Sequence, residues 1–421
     1  MPELSSIDAG LNRLHSSYPI RHTVPKQTKA ERLFQQMAMR HRQSIRLILS
    51  SIFAVAIFVL VSLPAMAMDT AAKFAILLDF DTGSVLLEKN ADEPAAPASM
   101  SKLMTLYMIF ERLKSGSLRL KDTFPVSEKA WRMGGSKMFV GVNTRVTLED
   151  LIRGIVVQSG NDACIVIAES LAQHEAAFAQ EMTERAREIG LKNSRFANST
   201  GWPDPDHLMS VRDIATLSAI IIREFPDLYS LFAEESFTYN NIKQRNRNPL
   251  LYRYDGADGL KTGHTQESGY GLAASVSKRG RRLLLVVNGL KSQNQRTQET
   301  ERLLDWAFRE FDNYALFSAG ETVANADIWL GQEAQVPLVI ETDVTLTLPH
   351  KSRRKMEVKV SYNSPVAAPI RVGEQLAMLT ISAPDEETLQ FPLIAGKDVL
   401  RLRMFGRLST AFKYLAWGVA E

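Results

Sequence analysis

Apolar and polar residues follow two different periods in the part of the chain that comes after residue 67. Residues 74–88 contain two short apolar runs, FAILLDF and SVLLE, separated by an Asp-Thr-Gly turn. Apolar runs on either side of a glycine-containing turn predict a β-hairpin. From Ser99 to Leu113 the large apolar residues instead recur every three or four positions, which predicts a helix that begins just after Pro97.

The pattern changes several times further along the chain. Residues 148–190 are predicted to be mostly helical, and a further helix is predicted at about 296–311. Between them, the runs GLAASVS (271–277) and RLLLVVNGL (282–290) predict two neighbouring strands. Strands at both ends with helices between them predict an α/β (α+β) domain over 68–312, in which an antiparallel sheet is flanked by helices.

Strict alternation becomes the rule after this domain. The segments VTLTL, KMEVKVSY and QLAMLTI alternate apolar with polar residues, and they are separated by turns such as Val372-Gly373. This pattern predicts a small all-β sandwich domain over 313–396.

The last segment, 397–421, is predicted to form an amphipathic helix. Its polar face carries Arg403, Arg407, Thr410 and Lys413. The residues of its apolar face are Met404, Phe405, Leu408, Ala411, Phe412, Leu415, Ala416 and Val419. A basic amphipathic helix is typical of a membrane surface, so membrane association is favoured. Docking of the same face on the β domain is the alternative.

Residues 1–67 are predicted to be an N-terminal extension and signal peptide. The run 47–63 contains no charged residue, three arginines precede it, and Ala-Met-Ala follows at 65–67. These are the three parts of a secretory signal, and a retained transmembrane helix is the alternative. Translation from Met37 or Met39 would give a signal of conventional length. These features predict an exported protein.

Charge and composition exclude several functions. The formal net charge of +3 comes from the N-terminal extension, and the remaining chain is slightly negative, which argues against binding to nucleic acid. Cys164 is the single cysteine, so an internal disulfide cannot form. The histidines are scattered and have no zinc-type spacing with Cys164, so neither a metal nor a cofactor is expected.

Three short motifs occur in a fixed order along the chain. Ser99-Met100-Ser101-Lys102 is S-x-x-K, Ser159-Gly160-Asn161 is S-x-N, and Lys261-Thr262-Gly263 is K-T-G. Each motif alone is common, but together they are the set found in serine β-lactamases and penicillin-binding proteins.

The first motif has a direct chemical interpretation. A serine that opens a helix lies beside unpaired backbone N–H groups, which can stabilise an oxyanion. Positions i and i+3 share a helix face, so the Lys102 amine is expected to reach the Ser99 hydroxyl. Lys102 can act as a general base only if its pKa is lowered, and burial beside a second cation, for which Lys261 is the candidate, would lower it.

The other two motifs suggest substrate binding. Lys261 and the Thr262 hydroxyl are expected to bind a substrate carboxylate, and Gly263 is expected to leave room for substrate backbone beside the strand. Ser159 offers a hydroxyl that can relay protons. Asn161 offers an amide that can hold Lys102 and a substrate carbonyl.

Longer segments around these motifs carry a family resemblance. PASMSKLMT (97–105), LIRGIVVQSGNDAC (151–164), NRNPLLY (246–252) and DGLKTGHT (258–265) closely resemble the D-alanyl-D-alanine carboxypeptidases, the low-molecular-mass penicillin-binding proteins. The resemblance extends over roughly 72–395. It implies that Ser99 is acylated by the penultimate D-Ala of a peptidoglycan stem pentapeptide, that the terminal D-Ala leaves, and that water releases the acyl group.

The resemblance also implies roles for individual residues. It places S-x-N on an all-helical subdomain and builds the oxyanion hole from the backbone N–H groups of Ser99 and His264. Arg247 and Arg296 match arginines near the carboxylate end of the site, although a surface salt bridge would explain either. Cys164 matches a cysteine near the site, where a small buried apolar residue is the simpler interpretation. β-Lactam antibiotics are expected to be covalent inhibitors.

Three alternative functions use the same sequence features. A β-lactamase would share Ser99 and Lys102, but no matching glutamate-containing loop is found between Asn161 and Lys261. A D,D-endopeptidase that cuts wall cross-links typically lacks the β domain. A non-catalytic wall-binding scaffold would have no need to keep all of the motif residues.

Overall fold

The structure is a computed structural model that describes residues 68–403. The predicted signal segment (1–67) and residues 404–421 lie outside the described part. Between residues 68 and 403, no helix combines the length and the apolar character needed to cross a bilayer.

The first part of the described chain contains nine strands and eight α-helices. The strands are β1 (Phe74–Asp79), β2 (Val85–Lys89), β3 (Thr123–Pro125), β4 (Arg145–Thr147), β5 (Ser236–Tyr239), β6 (Ile242–Arg245), β7 (Ala257–Thr265), β8 (Gly269–Lys278) and β9 (Arg281–Leu290). The helices are α1 (Lys102–Lys114), α2 (Glu128–Arg132), α3 (Leu148–Gln158), α4 (Asn161–Ala172), α5 (Glu175–Glu188), α6 (Val211–Glu224), α7 (Pro226–Tyr229) and α8 (Gln293–Glu310). Short 3₁₀ turns occupy Ala98–Ser101, Ser230–Ala233 and Pro249–Tyr252.

Five strands form one antiparallel sheet in the order β2-β1-β9-β8-β7. Strands β1 and β2 confirm the predicted hairpin, and β8 and β9 confirm the second strand pair. Strand β7 lies at the edge of the sheet. The predicted α/β (α+β) class with an antiparallel sheet is therefore correct.

Both faces of this sheet are covered, because alternate residues of a strand point to opposite sides. Leu284 and Val286 of β9 belong to the same buried cluster as α1, α4 and α6. Leu285 and Val287 are also buried, and helix α8 packs along β8 and β9. The sheet is thus a rigid support for residues at its edge.

Polar side chains cap the start of three helices of this domain. The Thr147 hydroxyl accepts from Asp150 N before α3, the Ser210 hydroxyl accepts from Asp213 N before α6, and the Ser292 hydroxyl accepts from Gln295 N before α8. Such caps satisfy backbone donors that have no partner within the helix.

The second part of the described chain is a β domain. Its elements are β10 (Phe311–Phe317), β11 (Thr322–Trp329), β12 (Gln335–Ile340), β13 (Val344–Pro349), the short helix α9 (His350–Arg353), β14 (Glu357–Tyr362), β15 (Val366–Ala367), β16 (Gln375–Ser382) and β17 (Leu389–Ala395). Six strands form a sheet in the order β14-β16-β17-β12-β11-β15, and β10 pairs with β13. Leu338 and Leu379 of the large sheet share one apolar core with Leu346 of the strand pair. The change from helix to strand comes between Glu310 and Phe311, two residues before the predicted boundary.

The end of the described chain corrects one prediction. Residues 397–403 are not helical: Val399 forms a β-bridge with Ile370, and Arg401 forms one with Gly331. The amide of Leu402 also donates to the Leu330 carbonyl at 2.9 Å. These residues belong to the β domain because their backbone groups complete its edges, and the rest of the predicted helix lies outside the described residues.

Candidate active site

Ser99 lies in the tight turn that leads into α1. The 3₁₀ turn Ala98–Ser101 runs directly into the helix, which starts at Lys102. The Lys102 ammonium donates to the Ser99 hydroxyl at 2.8 Å, as the i, i+3 spacing predicted. Lys102 has no exposed surface. A buried amine therefore lies within hydrogen-bond distance of the candidate nucleophile.

The environment of Lys102 favours its neutral form. Burial is the main cause that lowers the pKa of Lys102 to about 8; the positive charge of Arg247 acts in the same direction, and Cys164 and Asp162 act against it. Burial also holds the pKa of Lys261 well below its usual range, and repulsion from Lys102 contributes. Near neutral pH a useful fraction of Lys102 is thus able to accept a proton.

The S-x-N motif lies between two helices of the helical subdomain. Helix α3 ends at Gln158, and Ser159 adopts a left-handed conformation with φ of 63°. The Ser159 hydroxyl is buried and has no hydrogen-bond partner among residues 68–403. A buried hydroxyl without a partner is costly in a folded protein, so this group is available for a bound substrate or a transferred proton.

Asn161 does not make the contact that the sequence predicted. Its amide nitrogen donates to the Gly134 carbonyl at 2.9 Å. Within the described chain, Lys102 is held by hydrogen bonds to the Ser99 hydroxyl and to the backbone carbonyl of Thr200. Asn161 instead fixes the loop that contains Gly134 to the start of α4.

The K-T-G motif lies on the edge strand β7. Lys261 and Thr262 are 2% and 6% exposed, and the Lys261 ammonium donates to the Thr262 carbonyl at 3.2 Å. A Cβ added at Gly263 would lie 2.8 Å from the Pro97 carbonyl oxygen and 3.2 Å from the Ala98 Cβ. Gly263 therefore leaves room for the protein's own nucleophile turn, and its role in leaving room for substrate backbone stays a prediction.

One cavity of about 410 Å³ joins most of the predicted site residues. The motif residues that line it are Ser99, Ser159, Thr262, Gly263 and His264, and the two arginines Arg247 and Arg296 line it as well. Lys102, Asn161 and Lys261 are not in its lining and are buried. The structure thus brings together residues that are up to about two hundred positions apart in the sequence.

The electrostatics of this cavity favour an anion. Among the described residues that line it there is no aspartate or glutamate. Burial lowers the pKa of Arg296 to about 10 and also lowers the pKa of Arg247. Arg247 donates to the Ser136 hydroxyl. Guanidinium groups match the geometry of a carboxylate, so the cavity suits a substrate that ends in one.

Several residues of the site were not predicted from the sequence. Ser136, Tyr270 and Gln293 line the cavity, and the His264 ring stacks on Tyr270 with centroids 3.8 Å apart. Asp162 accepts hydrogen bonds from the amides of residues 138, 139 and 140 and so holds the loop that carries Ser136. The position of Asp162 next to Asn161 was the one available signal. The Thr200 carbonyl has no side-chain signature.

Cys164 is not a reactive group in this structure. It is fully buried, and burial raises its pKa to about 12. A thiol that stays protonated is a poor nucleophile. This agrees with its interpretation as a small buried apolar residue.

A larger cavity of about 710 Å³ lies at the other end of β8 and β9, where Lys278 and Arg281 line it. None of the three motifs contributes to its lining. Its greater size does not make it the candidate active site, because it lacks a nucleophile paired with a base.

Comparison with known proteins agrees with this geometry. A family model described as D-alanyl-D-alanine carboxypeptidase matches residues 61–292, and one described as the C-terminal domain of penicillin-binding protein 5 matches residues 311–401. The D-alanyl-D-alanine carboxypeptidase DacA of Haemophilus influenzae is 34% identical over 345 residues, which cover 80% of this chain and 87% of the relative.

Solved structures show the same architecture. The crystal structure of penicillin binding protein 5 from Haemophilus influenzae has a TM-score of 0.70 and 32% identity, covering 79% of this chain and 99% of that one. The ampicillin-bound form of penicillin-binding protein D2 from Listeria monocytogenes has a TM-score of 0.53 and 25% identity, covering 57% of this chain and 98% of that one. The chain belongs to the D-alanyl-D-alanine carboxypeptidase family of serine hydrolases.

Proposed function

We propose that this enzyme removes the terminal D-alanine from peptidoglycan stem pentapeptides through an acyl-enzyme formed on Ser99. The observation that carries the assignment of the nucleophile is the 2.8 Å hydrogen bond between Lys102 and Ser99, made by a lysine with no exposed surface. Burial of the amine supplies the lowered pKa that a general base requires.

Acylation begins when neutral Lys102 accepts the proton of the Ser99 hydroxyl. The Ser99 oxygen then bonds to the carbonyl carbon of the penultimate D-Ala, and the backbone N–H groups of Ser99 and His264 stabilise the oxyanion. The peptide C–N bond breaks as the departing amine receives the proton held by Lys102, and we assign the relay of this proton to the Ser159 hydroxyl. The free D-alanine leaves the cavity.

Deacylation uses the same groups in the reverse sense. A water molecule gives a proton to the base and bonds to the acyl carbon. The bond to the Ser99 oxygen breaks, and the proton returns to Ser99. The shortened peptide then dissociates with its new carboxylate.

Substrate orientation comes from the cationic side of the cavity. We assign Lys261, Thr262, Arg247 and Arg296 to the carboxylate of the terminal D-Ala. The support for this assignment is the positive charge of Arg247 and Arg296 in a lining that contains no aspartate or glutamate among the described residues. Lys261 is buried on the same strand as Thr262, next to that lining. Binding the free carboxylate selects peptides with an unblocked end, which favours a carboxypeptidase over an endopeptidase.

β-Lactams are expected to acylate Ser99 and to leave slowly. The D2 protein of Listeria, which shares this fold, has been solved in an ampicillin-bound form. Between residues 68 and 403 no glutamate lines the cavity to activate water, unlike the arrangement in class A β-lactamases. Hydrolysis of penicillin at rates comparable with peptide hydrolysis would contradict this expectation.

We further propose that the enzyme is exported and is held at the periplasmic face of the inner membrane by the basic amphipathic segment at its C-terminus. The β domain would then hold the catalytic domain, which we place at 68–312, away from the bilayer. A chain that ends at Arg403 keeps the β-bridges of residues 399 and 401 and should leave the membrane fraction. Its continued sedimentation with membranes would place the anchor elsewhere.

The central experiment measures D-alanine released from diacetyl-Lys-D-Ala-D-Ala by the purified full chain. Ser99→Ala should abolish both this release and covalent labelling by a fluorescent penicillin. The matched control is Ser361→Ala in strand β14 of the β domain, where the exposed hydroxyl donates to the Met378 carbonyl, and this variant should retain both activities. Labelling of Ser99 without D-alanine release would support Ser99 as the nucleophile but contradict the proposed substrate. It would favour an endopeptidase or an enzyme that acts on another wall substrate. If the wild type shows neither D-alanine release nor covalent labelling, the non-catalytic scaffold is favoured.

A further inference from the structure

The backbone carbonyl that holds Lys102 belongs to a short segment, Asn198–Trp202, that has no motif of its own. Lys102 makes two hydrogen bonds among the described residues, one to the Ser99 hydroxyl and one to the Thr200 carbonyl. Sequence motifs account for the first of these partners only. The Thr200 carbonyl must therefore be positioned by residues outside the three motifs.

The Asn198 side chain organises this segment. Its amide oxygen accepts from the Thr200 amide at 3.1 Å, the Thr200 hydroxyl at 2.9 Å, the Gly201 amide at 2.9 Å and the Trp202 amide at 3.1 Å. Its amide nitrogen donates to the Trp202 carbonyl at 3.0 Å. One side chain thus fixes the peptide groups on both sides of the Thr200 carbonyl.

Other contacts hold the segment in place independently of Asn198. The Thr105 hydroxyl donates to the Ser199 carbonyl at 2.7 Å, and Ser199 donates through its hydroxyl to Glu175 at 2.9 Å. A Cβ at Gly201 would lie 2.0 Å from the Ala98 carbonyl oxygen, so this glycine packs directly on the nucleophile turn. Removing the Asn198 amide should consequently turn the Thr200 peptide without exposing Lys102.

The direction of the Thr200 carbonyl matters for catalysis. A neutral amine has one lone pair and two N–H bonds. When one N–H is bound to a fixed carbonyl, rotation of the amine is restricted and the lone pair can be held toward the Ser99 hydroxyl. The same carbonyl stabilises the ammonium form more strongly than the neutral form, so it opposes the lowering of the Lys102 pKa by burial.

We propose that Asn198 is a positioning residue for the general base, acting through the Thr200 carbonyl. This inference rests on the proposed role of Lys102. It states that Asn198 controls how the Lys102 amine is oriented and at which pH it becomes neutral. Neither effect requires Asn198 to touch the substrate.

The test is the rate of Ser99 acylation by a fluorescent penicillin, followed by stopped flow from pH 6 to pH 10 with the full chain. In the wild type this rate should rise with pH as Lys102 loses its proton (the acid limb) and then become constant (the high-pH plateau). Asn198→Ala should lower the high-pH plateau about 10-fold or more, because the lone pair is no longer aligned. Its acid limb should move to lower pH by about half a unit, because the carbonyl that stabilises the ammonium is lost.

Asn198→Asp provides the second variant. Its carboxylate retains an acceptor for the same donors, so the plateau should recover to within about 3-fold of the wild type. Its negative charge favours the ammonium form, so its acid limb should move to higher pH. If Asn198→Ala fails to fold, the shift of the Asp variant alone decides the question.

Ser199→Ala is the matched control, since it removes the hydroxyl contact to Glu175 in the same segment and leaves the Asn198 contacts in place. It should keep the wild-type plateau and limb. Acid limbs at the wild-type midpoint in both Asn198 variants would overturn the inference, as would an upward shift in Asn198→Ala, which would mean that Lys102 had become solvated.

A Lys102→Met variant in the same assay distinguishes a failure of the inference about Asn198 from a failure of the proposed role of Lys102. If it is inactive while Asn198→Ala behaves like the wild type, the inference about Asn198 fails and the role of Lys102 stands. If Lys102→Met acylates at the wild-type rate, the proposed base is wrong, and the inference fails with it.

Discussion

The catalytic domain and the β domain bury different kinds of side chain. Around the active site, Lys102, Lys261 and Arg296 are 0%, 2% and 6% exposed, and the hydroxyl of Ser159 is buried without a partner. Between residues 311 and 403, the buried polar residues are Thr347 and Ser352, and no charged residue is buried. The core of the β domain is otherwise apolar.

The two domains differ in whether buried side chains serve catalysis or only the stability of the fold. Burying a cation is unfavourable, because the protein interior replaces its hydration poorly. The catalytic domain tolerates this cost where a lowered pKa and an anion-binding cavity are useful. The β domain carries no such cost, which is what we expect of a region whose task is to pack and to hold position.

The two domains nevertheless meet at a polar contact. Asp79, with no exposed surface, accepts from the Arg281 guanidinium at 2.7 Å and from the Asn313 amide of β10 at 3.1 Å. The Thr82 and Thr347 hydroxyls lie 2.5 Å apart. The hydrogen bond from Asn313 to the Asp79 carboxylate restricts the relative orientation of the domains, because hydrogen-bond geometry is more directional than that of apolar contacts.

The largest effect on catalysis is expected for Lys102→Met, which removes the buried cation. Acylation of Ser99 should fall about 10³-fold or more, in the range lost when a general base is removed. The free energy of unfolding should rise instead, because the folded protein no longer holds a buried ammonium. A pKa lowered from 10.5 to about 8 corresponds to a cost of about 3 kcal/mol for burying the ammonium. Lys102→Met removes this cost, so the free energy of unfolding should rise by up to that amount.

The pH dependence checks the sign of this second effect. Below pH 8 the lysine is protonated in both the folded and the unfolded state, so the folded wild type bears the whole cost. Between pH 8 and 10.5 only the unfolded state is protonated, and the gain from Lys102→Met should shrink toward zero. Denaturant unfolding at pH 6 and pH 10.5 measures it, and an equal gain at both values would contradict the explanation.

A smaller loss is expected for Gly263→Ala, which would force a methyl group against the nucleophile turn. Its Cβ would lie 2.8 Å from the Pro97 carbonyl oxygen, and the backbone there cannot yield easily. A displacement of Ser99 should slow acylation about 100-fold. Gly396→Ala in the β domain is the control, because its nearest neighbour is the Val339 side chain at 3.0 Å. Stopped-flow acylation should show no change for that variant.

Arg247→Ala should weaken substrate binding and change the pH profile of acylation. Loss of a guanidinium contact to the substrate carboxylate should raise KM about 10-fold. Because Arg247 lowers the pKa of Lys102, its removal should move the acid limb of acylation to higher pH. The control is Arg253→Ala, which removes an exposed ion pair with Glu301. An unchanged acid limb in Arg247→Ala would show that Arg247 does not contribute to the pKa of Lys102.

The smallest effect on catalysis is expected for Leu379→Ala in the core of the β domain. Leu379 has no exposed surface, so its truncation should lower the free energy of unfolding by about 2–5 kcal/mol. The rate of D-alanine release per folded molecule should remain that of the wild type. Val358→Ala, at a residue 42% exposed, should change neither quantity. A fall in rate for Leu379→Ala would mean that the β domain takes part in shaping the active site.

Local patterns in the chain predicted most elements correctly. The hairpin at 74–88, the helix that follows Ser99 and the strand pair that ends at Leu290 are all present. The prediction of a helix from residue 397 was wrong over 397–403, because pairing with Ile370 and Gly331 outweighs the local amphipathic pattern. Pairing partners distant in sequence leave no periodic signal in the segment itself.

The sequence by itself determined the pairing of Ser99 with Lys102, because i, i+3 neighbours on a helix meet whatever surrounds them. It also identified the three motifs and their order. Only the tertiary structure decided that Thr200 and Arg247 act on Lys102, that Asn161 holds a loop, and that Gly263 accommodates the turn before Ser99. These contacts depend on backbone groups and on approaches between distant strands and loops, which residue spacing does not encode.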